Sequence, residues 1–292
     1  MIVGFSPGGV ADVTARLLAQ KLAEPLGQPV IVENRPGASG AIATERVATS
    51  PADGYTLLAM TAADTVIPSL RTKLPYNLER DLMPVSLVAI APFLLVVHPS
   101  VPAQNVKELI ALARTRPGKL SYGSVGVGST PHLSAEALKM MARVDIVHVP
   151  YKGGADNVIA NSTGEVDMVF ASIPSLLPLI GSGKPRLRPI AVTSTKRASL
   201  MPSIPTLSES GLPGYNRSSW VGILAPAGTP KEIIARVNGA IGKSVNAPDT
   251  RQAFIKHGLE PQTNTPEQFA AYIRGELAQN AKLIKFIGVN AE

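Results

Sequence analysis

The chain has no cysteine, which excludes disulfides, thiolate metal sites and cysteine nucleophiles. Aromatic residues are 4% of its 292 residues, with a single tryptophan. That leaves little for the stacking platforms that bind single-stranded nucleic acid. Its four histidines, His98, His132, His148 and His257, are dispersed, and none stands in a His-Glu-x-x-His or His-x-His spacing. The longest apolar stretch, Val85 to Val97, is about 13 residues and contains Pro92, against the roughly 20 residues a membrane span needs. Charged residues reach only 17%, while hydrophobic residues reach 45%. That balance builds packed cores and rules out a disordered chain.

What is plentiful is glycine (25) and proline (26), which reads as many turns between short elements. Length alone points to two domains. Lysine and arginine (28) exceed aspartate and glutamate (21), a net charge of +7. A basic balance permits anionic partners. The basic residues are scattered, with Arg186, Arg188, Lys196 and Arg197 the densest group. A nucleic-acid footprint would be a stripe or a run, so nucleic acid is not an expected partner.

Strand and helix signals alternate along the chain. Residues 2–5 read as a buried strand, followed by the turn Ser6-Pro7-Gly8-Gly9 and a helix that Pro25 and Gly27 stop. Pro29 to Val32 reads as a strand, Arg35 to Gly40 as a turn into a helix, and Tyr55 to Met60 as a strand. Pro92 divides the run Val85 to Val97 into two strands. A second series follows: a helix over about 104–115, strands Leu120–Gly123, Ile146–Val149, Val166–Phe170 and Leu187–Val192, and helices near Pro131 and over Ala155–Asn161. Trp220 to Leu224 is a returning strand, and the last third is helical. Thr229-Pro230-Lys231-Glu232 and Thr265-Pro266-Glu267-Gln268 both read as capping boxes. Repeated βα units imply mostly parallel sheets flanked by helices. The expected architecture is α/β and two-lobed, with residues 1–97 plus 221–292 as the first lobe and 98–220 as the second. Because a core strand opens the sequence at Met1, the expectation is that an export segment and the start of that strand lie upstream.

Ligands of open parallel sheets bind beyond the carboxyl ends of strands. Three loops there carry chemistry. Phe5-Ser6-Pro7-Gly8-Gly9-Val10-Ala11-Asp12 joins a strand to a helix N-terminus, where exposed N–H groups and the helix dipole favour an anion. Asp12 would repel a carboxylate directly and reads as a cap or a water-mediated contact. Gly123-Ser124-Val125-Gly126-Val127-Gly128-Ser129-Thr130-Pro131-His132 repeats the device with hydroxyl donors. His132 falls in the first helical turn, where packing or capping competes with ligand contact. Pro150-Tyr151-Lys152-Gly153-Gly154 lies in a third such loop.

Enzyme signatures fail. Gly242-Lys243-Ser244 imitates the end of a phosphate loop, but Val237 stands where glycine is required. Gly123, Gly126 and Gly128 are in the wrong order for a dinucleotide fingerprint. No Gly-x-Ser-x-Gly elbow occurs. Anion-friendly loops without catalytic machinery favour binding over turnover, with no catalytic residues, metal or cofactor expected. The competing reading is an enzyme that acts on a small carboxylate from the same scaffold. The effector domain of a regulator is disfavoured, since no helix-turn-helix accompanies it.

Several segments resemble one family, the substrate-binding receptors of tripartite tricarboxylate transporters, or Bug family. Phe5-Ser6-Pro7-Gly8-Gly9 with Asp12 is similar to its first ligand loop, Val32 to Gly40 to its ENRPGAGG segment, and Pro51 to Leu58 to its PDGYTLL segment. Gly123 to Leu133 resembles its second ligand loop. Val149 to Gly154, Pro205 to Gly211, Trp220-x-Gly222 and Ala225 to Pro230 also fit. The resemblance spans nearly the whole chain. It implies a periplasmic, monomeric receptor of the type II periplasmic-binding-protein fold, whose lobes close on a small carboxylate for uptake by membrane transporter subunits or for sensing.

Carried over by the resemblance, the carboxylate grip falls on Phe5, Ser6, Pro7, Gly8, Gly9 and Asp12, and on Ser124, Gly126, Val127, Gly128, Ser129 and His132. Thr61, Ala62, Gly153, Gly154, Ala171 and Ser172 would face the rest of the ligand. Ala41 stands where the family often has asparagine, and Ala171-Ser172 replaces a more polar pair. The second departure weakens the case for an amino-acid ligand and leaves a dicarboxylate, tricarboxylate or aromatic acid.

Overall fold

The computed structural model describes residues 1–181 and 186–289. In chain order it runs β1 (Ile2–Val3), α1 (Val10–Leu26), β2 (Glu33–Asn34), α2 (Ala41–Ala48), β3 (Leu58–Thr61), α3 (Ile67–Leu70) and β4 (Leu82–Ala91). Then come β5 (Phe93–Val97), α4 (Val106–Thr115), β6 (Ser121–Ser124), α5 (Thr130–Ala142), β7 (Val147–Pro150), α6 (Gly154–Thr163), β8 (Met168–Ser172), α7 (Ile173–Ile180) and β9 (Arg188–Val192). The chain finishes with β10 (Ser219–Pro226), α8 (Lys231–Asn246), α9 (Pro248–Lys256), β11 (Glu260–Pro261) and α10 (Pro266–Ile287).

It divides into two compact units, Met1–Ala91 with Trp220–Glu292, and Pro92–Ser219. The expected boundary at residue 97 is corrected to 91. Phe93–Val97 is β5, which pairs antiparallel with β8 and β9 in the second sheet. Proline at 92 has no N–H to donate to a ladder, so the long apolar run breaks there. Trp220 likewise belongs to the first unit rather than the second.

The first sheet has the order β11-β4-β10-β3-β1-β2. β1 runs parallel to both β2 and β3, whereas β10 is antiparallel to β3 and β11 to β4. The two-residue side-chain period of a strand sorts this sheet's residues onto two cores. Val221, Ile223 and Ala225 of β10 join Val3 and Ala59 under α1, α8 and α9. Trp220 and Leu224 join Ile2, Leu58 and Met60 under α2 and α10. Residue 222 falls on the second face by the same alternation, and it is glycine because no side chain fits there. A Cβ would overlap the Phe269 ring, with ring-edge carbons at 2.7 and 2.9 Å. The second sheet has the order β7-β6-β8-β5-β9. β6 is parallel to β7 and β8. α6 and α7 cover one face through Val158, Ala160, Ile173 and Leu176, against Leu94, Val96, Val169 and Val192.

Two local expectations need correction. Pro29 to Val32 is not a strand: β2 is Glu33–Asn34, which joins the ladder through Glu33 N–H to Met1 carbonyl and Arg35 N–H to Val3 carbonyl, at 2.9 and 2.8 Å. The Thr229 capping box does not form. Pro230 keeps an extended ψ of 138° as the N-cap, and the Thr229 hydroxyl donates back to the Pro226 carbonyl at 2.8 Å. The Thr265 box does form. Its hydroxyl accepts from Gln268 N–H, and the Gln268 amide oxygen accepts from Thr265 N–H.

Gly222→Ala is expected to lower stability by about 1–3 kcal/mol, the usual scale of overpacking a filled core. Denaturant unfolding measures it, and an unchanged midpoint would show that the Phe269 ring moves aside freely.

Candidate functional site

In the first unit, β1 and β3 are parallel neighbours, so the loops that leave them emerge from one sheet edge. The loop after β1 holds Ser6, Pro7, Gly8 and Gly9 exposed and Phe5 half-buried. Gly8 has φ +84°, and a Cβ there would meet nothing within 4 Å. Left-handed backbone of this kind is cheap only for glycine. Gly9 is the N-cap of α1 and supplies no side-chain cap. The first-turn N–H groups, which a helix cannot satisfy itself, are therefore left to an external acceptor.

Asp12 braces this loop from behind. It is 3% exposed. One carboxylate oxygen accepts the Gly8 N–H at 2.9 Å. The other accepts Arg16 Nε and Asn34 Nδ2, both at 2.9 Å. Asn34 Nδ2 also donates to the Phe5 carbonyl at 3.0 Å. Burial pushes the Asp12 carboxyl up. The Arg16, Gly8 and Asn34 hydrogen bonds together outweigh it and hold the group below the ordinary carboxylate value. Asp12 therefore stays charged, with its charge met by Arg16.

Thr61 ends β3 and Ala62 follows it, and both are buried. The Thr61 N–H and hydroxyl donate to one oxygen of Asp64 at 2.8 and 2.9 Å. The other Asp64 oxygen accepts the Thr44 hydroxyl at 3.3 Å. A Cβ at Gly40 would overlap that carboxylate, and would lie 3.5 Å from the Phe5 ring. Gly40 thus lets the entrance of α2, the Phe5 loop and the Thr61 loop close on one another. Asp64 faces hydroxyl and amide donors, and burial raises its carboxyl to about 6.

In the second unit, β6, β7 and β8 run parallel, and the predicted loops after them leave from one sheet edge. Tyr151 N–H donates to the Ser124 carbonyl at 2.8 Å, tying two of these loops together. Gly126 has φ +110°, again with nothing within 4 Å of a Cβ. Val127 is exposed, while Gly126, Gly128 and Ser129 are half-buried. Ser129 is the N-cap of α5, and its hydroxyl donates to the Gly126 carbonyl at 2.7 Å. Gly153 and Gly154 open α6 without a side-chain cap. The Ala171 side chain sits in the apolar core with Leu94 and Val192, whereas the Ser172 hydroxyl contacts Ser175 at 3.0 Å.

Behind the second loop lies a polar cluster that sequence reasoning missed. Ser124 Oγ is 2.7 Å from His148 Nε2, and the His148 ring stacks on Tyr122 with centroids 4.9 Å apart. His132 lies 4.5 Å from His148 by ring centroids. Glu136 accepts from the Tyr122 hydroxyl at 2.6 Å and from Lys139 Nζ at 2.7 Å. A serine–histidine contact is the geometry of an activated nucleophile. Here Ser124 is fully buried, and its Oγ already accepts the Gly126 N–H at 3.0 Å. Its position suits bracing the loop rather than attacking a substrate.

Of the residues missed, Asp64 had a signal: Thr61-x-x-Asp64 matches the capping-box pattern, and the box forms. His148 had none, because it joins the loop only through strand pairing of β7 with β6. Among the described residues no group of three or more metal-ligating side chains occurs, and no helix is long and apolar enough to cross a membrane.

Asp64 gives a pH-dependent stability. A carboxyl held near 6 in the folded protein keeps its proton where the unfolded chain has lost it, so stability falls as pH rises from about 4 to about 6. Asp64→Asn keeps a polar group among the same donors and lacks that fall. Denaturant unfolding across this window should show the variant gaining on the parent as pH rises, by at most roughly 3 kcal/mol. A gain that shrinks with rising pH would refute the assignment.

Comparison with known proteins bears on the family of the chain. The profile of the tripartite tricarboxylate transporter family receptor, TctC, matches residues 14–289. Protein BugT of Bordetella pertussis is 37% identical over 290 residues, covering 99% of this chain and 88% of that one. A Rhodopseudomonas palustris protein solved with adipate superposes with a TM-score of 0.81 at 36% identity, covering 100% of this chain and 97% of the other. MatC from the same organism, solved with bound malate, gives 0.75 at 28% identity, with 97% of each chain covered. These relatives are solute-binding proteins of one α/β fold, and the chain belongs to the tripartite tricarboxylate transporter receptor family.

Proposed function

We propose that this receptor captures a small organic carboxylate in the periplasm and presents it to the membrane subunits of a tripartite transporter. The observation that carries the reading is the entrance to α1. Gly8 at φ +84°, where a Cβ would meet nothing within 4 Å, and the N-cap Gly9, which has no side chain to offer, leave the first-turn N–H groups without a side-chain cap, which suits an anion. The loop into α5, with Gly126 at φ +110°, supports it as a second glycine-rich entrance, although there the Ser129 hydroxyl caps the helix by accepting the His132 N–H. Family membership supports the receptor role. The adipate and malate held by structural relatives favour a dicarboxylate over an aromatic acid. Backbone donors suit a binder that must also release its cargo, since a micromolar site represents about 8 kcal/mol in total.

A thermal-shift screen of dicarboxylates, tricarboxylates and aromatic acids tests the reading. A ligand at a hundred times its dissociation constant adds about 2.7 kcal/mol of stability. The expected result is stabilisation by at least one dicarboxylate, with the acid recovered unchanged. Gly8→Val and Gly126→Val should each weaken that ligand at least about tenfold while leaving the fold intact, because valine resists left-handed backbone. Calorimetry showing undiminished affinity in both variants, or consumption of the acid, would sink the proposal.

A further inference from the structure

The second loop turns two of its own amides inward. Gly126 N–H donates to Ser124 Oγ at 3.0 Å, and that oxygen is held 2.7 Å from His148 Nε2. Gly128 N–H donates to His132 Nδ1 at 3.3 Å. Between these anchors stands Val127, whose N–H makes no hydrogen bond among the described residues. His132 is 2% exposed, and an outward role as a ligand contact does not account for its Nδ1 facing the loop backbone.

We propose that His132 and His148 are positioning residues for ligand capture: as neutral imidazoles they pin the Gly128 amide and the Ser124 hydroxyl, and so aim the Val127 amide between them at the ligand. The inference rests on the receptor reading above and names what sets the geometry of that site. A ring nitrogen that accepts a hydrogen bond carries no proton, so the contact assigns His132 the Nε2–H tautomer. Protonation would place two donors, Nδ1–H and Gly128 N–H, face to face.

The surroundings keep the pair neutral. The titratable groups that face it are Tyr122 on β6 and Glu136 and Lys139 on α5, besides the two histidines themselves. Glu136 opposes, but its charge is already met by Lys139 and the Tyr122 hydroxyl. Burial is the first cause that lowers His132, and the neighbouring His148 adds to it, bringing His132 to about 4. Burial lowers His148 as well. The latch is therefore set at neutral pH and is lost only in acid.

The alternative is that both rings merely fill space. Conservative variants separate the two. Asparagine carries a polar atom near the place of Nδ1 and glutamine near that of Nε2, while leucine fills volume without an acceptor. With adipate as the calorimetric probe at neutral pH, His132→Leu and His148→Leu should each weaken binding about tenfold, the scale of one net hydrogen bond. His132→Asn and His148→Gln should stay within about threefold of the parent. Leucine variants that bind like the parent, or polar variants no better than leucine, overturn the proposal. A second measurement needs neither variants nor ligand. In the unaltered protein, the Gly128 amide resonance should move with the titration of the His132 ring, with a midpoint about 4. A Gly128 amide that stays still while His132 titrates overturns the latch. Should neither adipate nor malate bind the parent, the dicarboxylate reading fails on its own, and the amide titration still judges the latch.

Discussion

A helix cannot satisfy the N–H groups of its own first turn, and the ligand chemistry we propose for this chain depends on that constraint. Most proteins cap those groups with a side chain. Here α1 begins at a glycine with nothing to offer, directly after a strand that aims the loop beyond the sheet edge. The preceding glycine takes left-handed backbone, and nothing lies within 4 Å of where its side chain would begin. The protein's contribution to binding is thus largely a matter of what it withholds. A site of this sort recognises charge and shape through the main chain, which leaves the side chains around it to tune selectivity.

Acidic groups close to an anion site are a hazard, and the structure disarms each in a different way. Asp12 is kept charged, but Arg16 and Asn34 hold it from behind and turn its free oxygen onto the loop itself. Asp64 has no cation beside it among its hydrogen-bond partners, and burial favours its neutral form. Glu136 is bound between Lys139 and Tyr122. All three serve as scaffolding for a loop or its supports, so none presents an unmet charge to the proposed anion site.

Much of this was legible in the sequence. The Gly-rich turns announced both helix entrances, since glycine at those spacings between a strand and a helix has few other uses. Pro92 announced the break between β4 and β5, although not that β5 belongs wholly to the second sheet. That depends on pairing with β8 and β9, which no local signal encodes. β2 was misplaced because Pro29 to Val32 is apolar, yet Ile31 is left 72% exposed. α7 went unread because Pro174 and Pro178 look like breakers. Pro174 in fact occupies the first turn, where no N–H is missed. His132 was found from its place beside the second loop, and His148 was not. Its role comes from strand register, with Tyr122 opposite His148 across β6 and β7.

The first unit is built from two separated stretches of chain, and β10 lies between β4 and β3 in the middle of its sheet. A ribosome delivers residues 92–219 before it delivers that strand. The inserted unit can therefore complete its own sheet during synthesis while its neighbour still waits with a gap at the centre. Until Trp220 to Pro226 emerge, β3 and β4 offer open edges to any passing strand. An N-terminal fragment ending before that point would be a hazard to the cell that makes it, and the last-made quarter of the polypeptide is what closes the risk.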